Sequence, residues 1–145
     1  MEDSLELAAQ YPACDINWAD YLGLNHTYGT VDCIKLIQLF YKQELGVSFD
    51  IPSYSTSRRW MRELSPKAID ECILKYAIKV KLTDVKNYDL IVFKSSSDNT
   101  IIHFGMYISL YKMLHVEEHN VSKIEPLTDY WLDNIHGIYR HNSLV

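Results

Sequence analysis

From Cys33 onward the apolar residues fall at 33, 36, 37, 40 and 41, the spacing of one helical face, and Gly46 stands where a left-handed residue would end the helix. Thr30 is placed to cap it, and Asp32 to add a negative charge to its first turn. The other helix signals are shorter. Ser4 to Gln10 reads as a short helix or extended arm ended near Pro12, Asn17 to Gly23 as a short helix stopped by glycine, and Arg58 to Leu64 as another turn or two. Ser65-Pro66 is a cap followed by a first-turn proline, predicting a helix through about Tyr76.

Beyond that point the period changes from helical to alternating. Asp89 to Phe93 is a nearly unbroken apolar run, as expected of a buried central strand, and Ser95 to Thr100 is a polar turn. Ile101 to Ser109 alternates, with Ile102, Phe104, Met106 and Ile108 on one side and His103, Gly105 and Tyr107 on the other. Strands are also predicted from about Lys112 to Glu117 and from Ile135 to His141. Helices first and an antiparallel sheet second make an α+β fold. At 145 residues, 48% hydrophobic and without a Pro/Gly-rich linker, the chain is expected to form one domain over 1–145.

Charge removes several function classes. A formal charge of −5, spread over 14 basic and 19 acidic residues without long blocks, offers no broad surface for nucleic acid or anionic lipid. The acidic start MEDSLELAAQ has neither the basic flank nor the apolar core of a signal peptide, so synthesis in a cytosol and no membrane insertion are expected. Three cysteines, Cys14, Cys33 and Cys72, form an odd set without CxxC spacing, which speaks against a disulfide framework or a thiolate metal site. Cys14 and Cys72 read as buried fillers, and His136 and His141 as surface or strand-edge groups.

Cys33 carries the candidate chemistry. A cysteine in the first turn of a helix faces unpaired amides and the positive end of the dipole, which favours the thiolate. The same residue also begins the apolar face with Leu36, Ile37 and Phe40, so filling space is an equal reading from this segment alone. A partner base separates the two. His103 lies in an otherwise apolar strand beside Gly105, whose missing side chain leaves room for something to approach. His115 follows 12 residues later, a separation that lets two positions meet across a hairpin turning near Ser109 to Tyr111. Nucleophile, base and orienting group would then be complete. Against this stands His115-Val-Glu-Glu-His119, which has the H-x-x-E-H spacing of inverted zinc peptidases and needs a helix to work. Arg58, Arg59 and Arg62 form a basic cluster that reads either as a solvated face or as a contact for an acidic peptide.

Gly29-Thr-Val-Asp-Cys33, Phe40 to Gly46, Asp89 to Phe93, His103-Phe-Gly-Met-Tyr107, Leu114-His115 and Ile138-Tyr-Arg140 together resemble the NlpC/P60 cysteine peptidases, and among them the phage tail-assembly members. The resemblance runs from about Trp18 to Arg140. It implies a small papain-like fold, with Cys33 as nucleophile, His103 as general base and then acid, and His115 as the orienting residue. It also implies a substrate cleft near His26, Tyr28, Asp32 and Lys35. His26 falls where relatives carry a cleft tyrosine, with Tyr28 as a near substitute, and Lys35 falls where they carry a small residue. The implied substrate is the stem peptide of bacterial peptidoglycan, with no cofactor or metal. The implied setting is the tail tip of a phage particle, among other tail-tip or hub proteins. The alternative role there is a structural component that retains the fold with little activity.

Overall fold

In the computed structural model, which describes residues 16–51, 61 and 63–145, the later half of the chain forms a six-stranded antiparallel sheet. Its strands are β1 (Ala77–Val80), β2 (Leu90–Lys94), β3 (Ile101–Ile108), β4 (Lys112–His115), β5 (Lys123–Pro126) and β6 (Ile135–His141). The spatial order is β1-β6-β2-β3-β4-β5, so β2 to β5 form a meander and β6 returns to lie between β1 and β2. Central β2 reads as a continuous apolar run because both faces of the sheet are covered.

On one face lies α1 (Cys33–Phe40), which continues as a π-turn over Tyr41–Leu45 and stops at Gly46 with φ 66°. Ile34, Leu36, Ile37 and Phe40 are buried with Phe104, Met106 and Leu114 of the sheet. Full burial of each such side chain stabilises the fold by roughly 1.5–3 kcal/mol. A smaller cluster of Ile91, Phe93, Tyr107, Met113, Leu127 and Trp131 fills the other face, with Trp131 supplied by α3 (Asp129–Asp133). The α+β expectation holds, with helices packed on an antiparallel sheet.

Several local expectations need correction. Asp32, not Thr30, caps α1: it takes the extended conformation just before the first helical residue, and its side chain accepts from the amides of Ile34 and Lys35. α2 (Pro66–Ile73) is capped by Ser65 as expected but ends before Tyr76, because the chain turns at once into β1. The predicted helix over Asn17 to Gly23 is one 3-10 turn, Trp18–Asp20. In β3 the ladder slips between Phe93 and Lys94, which pair with His103 and Ile101. This bulge sends Ile101 into the larger core and Ile102 against the smaller one, breaking the alternation expected of Ile102 and Phe104. Cys72 is half-buried rather than buried, since Ile69 and Ile73 take the packed face of α2.

Two polar clusters, one of them an Arg–Asp ion pair, tie this side of the sheet together. Arg140 donates from Nε and Nη2 to the fully buried Asp89 at 3.0 and 2.8 Å, a two-pronged contact. Asp70 of α2 receives Tyr139 Oη at 2.6 Å and meets His136 Nε2 at 2.9 Å. His141 is buried, with Nδ1 accepting from the Ser143 amide, so it is not a surface group. The opening segment with Cys14, and the basic cluster Arg58, Arg59 and Arg62, lie outside the described residues. Among the described residues no helix is long and apolar enough to cross a membrane.

Candidate active site

Cys33 is the first residue of α1 and only 6% exposed. The cap that starts the helix also fixes the loop before it: Asp32 Oδ2 accepts from the Gly29 amide at 3.0 Å, while Oδ1 serves Ile34 and Lys35. The sulfur is offered a hydrogen bond by the backbone amide of Phe104, the residue after His103. That contact brings the start of α1 onto β3 just beyond the last pair of the β3–β4 ladder, Met106 with Leu114.

The electrostatics at this sulfur differ from the sequence expectation. Burial, followed by the Asp32 carboxylate, pushes the thiol up to about 12, although the amides of Phe104, Ile34 and Cys33 favour the anion. Removing sulfur from water costs the thiolate more than the helix start returns, and the capping carboxylate offsets the helix dipole locally. At neutral pH Cys33 is therefore a thiol.

The two histidines meet, although not by facing each other. Continuing the β3–β4 register places His115 opposite Gly105, with His103 on the diagonal. From there His103 Nε2 lies 2.8 Å from His115 Nδ1, with the rings edge-to-face at 80°. The His115 ring is fully buried, and its Nε2 lies 2.6 Å from Glu125 Oε1 on β5. Glu125 is again diagonal, since β5 pairs Lys123 with His115 and Glu125 with Met113. Burial lowers the pKa of His115 more than Glu125 raises it, so the ring is neutral. Trp131 lies against both rings, its centroid 5.2 Å from His103 and 5.5 Å from His115. The bareness of Gly105 serves Met113 rather than a ligand: a Cβ there would sit 2.7 Å from the Met113 sulfur.

Cys33 and His103 line one cavity of about 290 Å³ together with His26, Tyr28, Asp32 and Trp131, and Glu117, Glu118 and His119 form part of its wall. Of the cleft residues expected from sequence, His26 and Tyr28 are there, their rings edge-to-face at 4.6 Å. Asp32 lines the cavity with both oxygens engaged by the backbone, and Lys35 is not among the lining residues. The inverted-zincin alternative fails on geometry, because His115 ends a strand and His119 sits in a turn at φ 64°, so no helical face joins them. Donor atoms of His115, Glu117 and Glu125 lie within 4.8 Å of one another, yet both His115 nitrogens are already hydrogen-bonded to side chains.

A helix-borne cysteine set beside a histidine strand of an antiparallel sheet agrees with the sequence match: the NlpC/P60 family profile covers residues 20–140. The chain belongs to the NlpC/P60 family. Its fold is similar to the crystal structure of a lipoprotein-like NLP/P60 protein from Staphylococcus aureus subsp. aureus Mu50, with 20% identity, TM-score 0.59, and coverage of 85% of this chain and 38% of that one. It is also similar to an NlpC/P60 family protein from Bacillus cereus ATCC 10987, with 22% identity, TM-score 0.57, and coverage of 82% and 36%. At that identity the likeness is one of fold, and the chain spans less than two-fifths of the length of either structure. No curated protein matches the chain. NlpC/P60 proteins are generally cysteine peptidases or amidases acting on peptidoglycan. These likenesses carry the family and not its tail-assembly branch.

Two residues beside this NlpC/P60 site were not placed at it by the sequence reading, which took Trp131 as a core residue, as its burial in the smaller cluster bears out. Trp131 stands on a helix of only five residues, and Glu125 on a strand of four with no fully buried position. The one available signal was the alternation of Lys123 and Glu125, which puts both on the face of the sheet that carries His115.

Proposed function

We propose that this protein is a cysteine peptidase that cleaves an amide bond in the stem peptides of bacterial peptidoglycan, with Cys33 as nucleophile, His103 as base and acid, and His115 as the orienting residue. What supports the reading most is the single cavity holding the Cys33 thiol and the His103 ring, with His103 bonded to His115 at 2.8 Å. In the first step His103 takes the thiol proton as sulfur attacks the carbonyl carbon. The Cys33 amide at the helix start stabilises the oxyanion, and His103 returns the proton to the departing amine. Water then hydrolyses the thioester, with His103 again as base, releasing a carboxylic acid and restoring the thiol. Because the resting sulfur is protonated, proton removal belongs to the attack and does not precede it.

The setting we propose, on the sequence resemblance alone, is a phage tail tip, where the other partners would be tail-tip or hub proteins; mass spectrometry of purified particles tests it. Cell-wall digestion tests the chemistry: purified peptidoglycan is incubated with the protein or with Cys33→Ala, and released fragments are identified by mass. Equal release by both sinks the proposal. A second reading, a structural component with a dormant site, is favoured by the burial and raised pKa of Cys33, and would leave both preparations inert.

A further inference from the structure

We propose that Glu125 is a positioning residue: from strand β5 it holds His115 as the Nε2–H tautomer, and through His115 it holds His103 with Nδ1 as the unprotonated nitrogen available to the thiol. The inference rests on the peptidase reading of Cys33 and His103 and extends that site by one strand.

The argument is an accounting of protons. A carboxylate oxygen only accepts, so the 2.6 Å contact between Glu125 Oε1 and His115 Nε2 places a hydrogen on Nε2. A neutral His115 then has a bare Nδ1, which accepts across the 2.8 Å contact from His103 Nε2. His103 in its neutral form consequently carries its proton on Nε2 and a lone pair on Nδ1. Reversing the chain would aim the lone pair of His115 Nε2 at a carboxylate oxygen 2.6 Å away, which is repulsive, and would leave His103 Nδ1 protonated and useless as a base. The relay crosses three neighbouring strands by two diagonal steps, from β3 to β4 to β5. During attack His103 gains a positive charge, and a carboxylate beyond His115 stabilises it through the neutral ring. Glu117 and Lys123 also act on His115, with opposite signs, and Asp32, His26 and Glu117 line the cavity that holds His103. Among them Glu125 is the one with an oxygen in hydrogen-bond contact with the ring.

The test compares the 145-residue protein with Glu125→Ala, Glu125→Gln and Cys33→Ala, using a peptidoglycan-derived peptide and NMR of the imidazole nitrogens. Glu125→Ala is expected to lower kcat roughly 10- to 100-fold, by analogy with the loss of a group that orients a metal-bound histidine, with KM within about twofold. Glu125→Gln keeps an acceptor oxygen and the side-chain size without the charge, so it recovers part of kcat and guards against a folding defect. In the spectra, both rings of the unaltered protein carry their proton on Nε2. Titration of the pair moves to lower pH in Glu125→Ala, because a carboxylate that favours the cation is gone. An unchanged kcat in both Glu125 variants, or an unmoved titration, overturns the proposal. Cleavage that survives Cys33→Ala sinks the peptidase reading instead, and the NMR result then decides the role of Glu125 independently of activity.

Discussion

Cys33 should be a slow thiol at neutral pH, and the size of the effect follows from its surroundings. Burial and Asp32 raise its pKa from an ordinary 9.0 to about 12, so near pH 7.5 about 1000-fold less of it is thiolate than of an unperturbed cysteine. A more basic thiolate is intrinsically more reactive toward a disulfide, and with a Brønsted slope near 0.45 a thiol pKa higher by about three returns about 20-fold. The net expectation is a rate about 50-fold below that of an ordinary thiol, before any loss of access in a residue 6% exposed. The assay is reaction with a small disulfide reagent from pH 6 to 11, quenched and digested so that mass spectrometry separates Cys33 from half-buried Cys72. The Cys33 rate should climb about tenfold per pH unit to beyond pH 10, as expected when only the anion reacts. In Asp32→Asn, which removes the second-largest cause of the shift, that rate should rise at fixed pH while the Cys72 rate stays put. A Cys33 rate that equals or exceeds that of Cys72 and levels off below pH 7 would refute the reasoning. It would mean that an imidazolium partner, not burial, governs the sulfur.

Three further outcomes follow from the packing. Arg140→Met leaves the fully buried Asp89 without its cation and should cost about 3–5 kcal/mol in urea unfolding; a loss under 1 kcal/mol would show that the buried carboxylate is satisfied by its backbone contacts. Asp32→Ala strips the cap from α1 and should cost about 1–2 kcal/mol by the same measurement, whereas Thr30→Ala, at an exposed position outside the cap, should change stability by less than about 0.5 kcal/mol. Burial holds the pKa of His115 below its ordinary 6.5, so the unfolded chain takes up the proton first, and stability present above pH 6.5 should drain away as pH falls through the lower folded value. The slope of unfolding free energy against pH should flatten below pH 6 in His115→Gln, and an unchanged slope would assign the acid sensitivity to other groups.

Much of this architecture was legible in the chain because the relevant signals are local. The periodicity from Cys33 to Tyr41 and the left-handed stop at Gly46 define α1, and the run Ile135–His141 matches β6 to the residue. What was misread was short or polar: β1, β5 and α3 have four or five residues each, too few for either period to register. The bulge at Lys94 lies in the pairing of two strands and is not encoded in either alone. The hairpin turn hid for another reason, since Leu110 and Tyr111 take φ of 63° and 55° without the glycine or asparagine that usually signals such a turn.

By itself the sequence determined which chemistry the chain carries: a cysteine at a helix start, histidines 12 residues apart on neighbouring strands, and alternation that builds an antiparallel sheet. Those depend on residue order and short-range geometry, which any local reading recovers. Only the tertiary structure decided the state of that chemistry. Whether Cys33 rests as thiol or thiolate depends on how much water the packed core excludes, and no property of residues 29 to 36 alone sets that quantity. The meeting of His103, His115 and Glu125 depends likewise on two strand registers that place each diagonally from the next. A proton chain across three strands exists only once all three have paired.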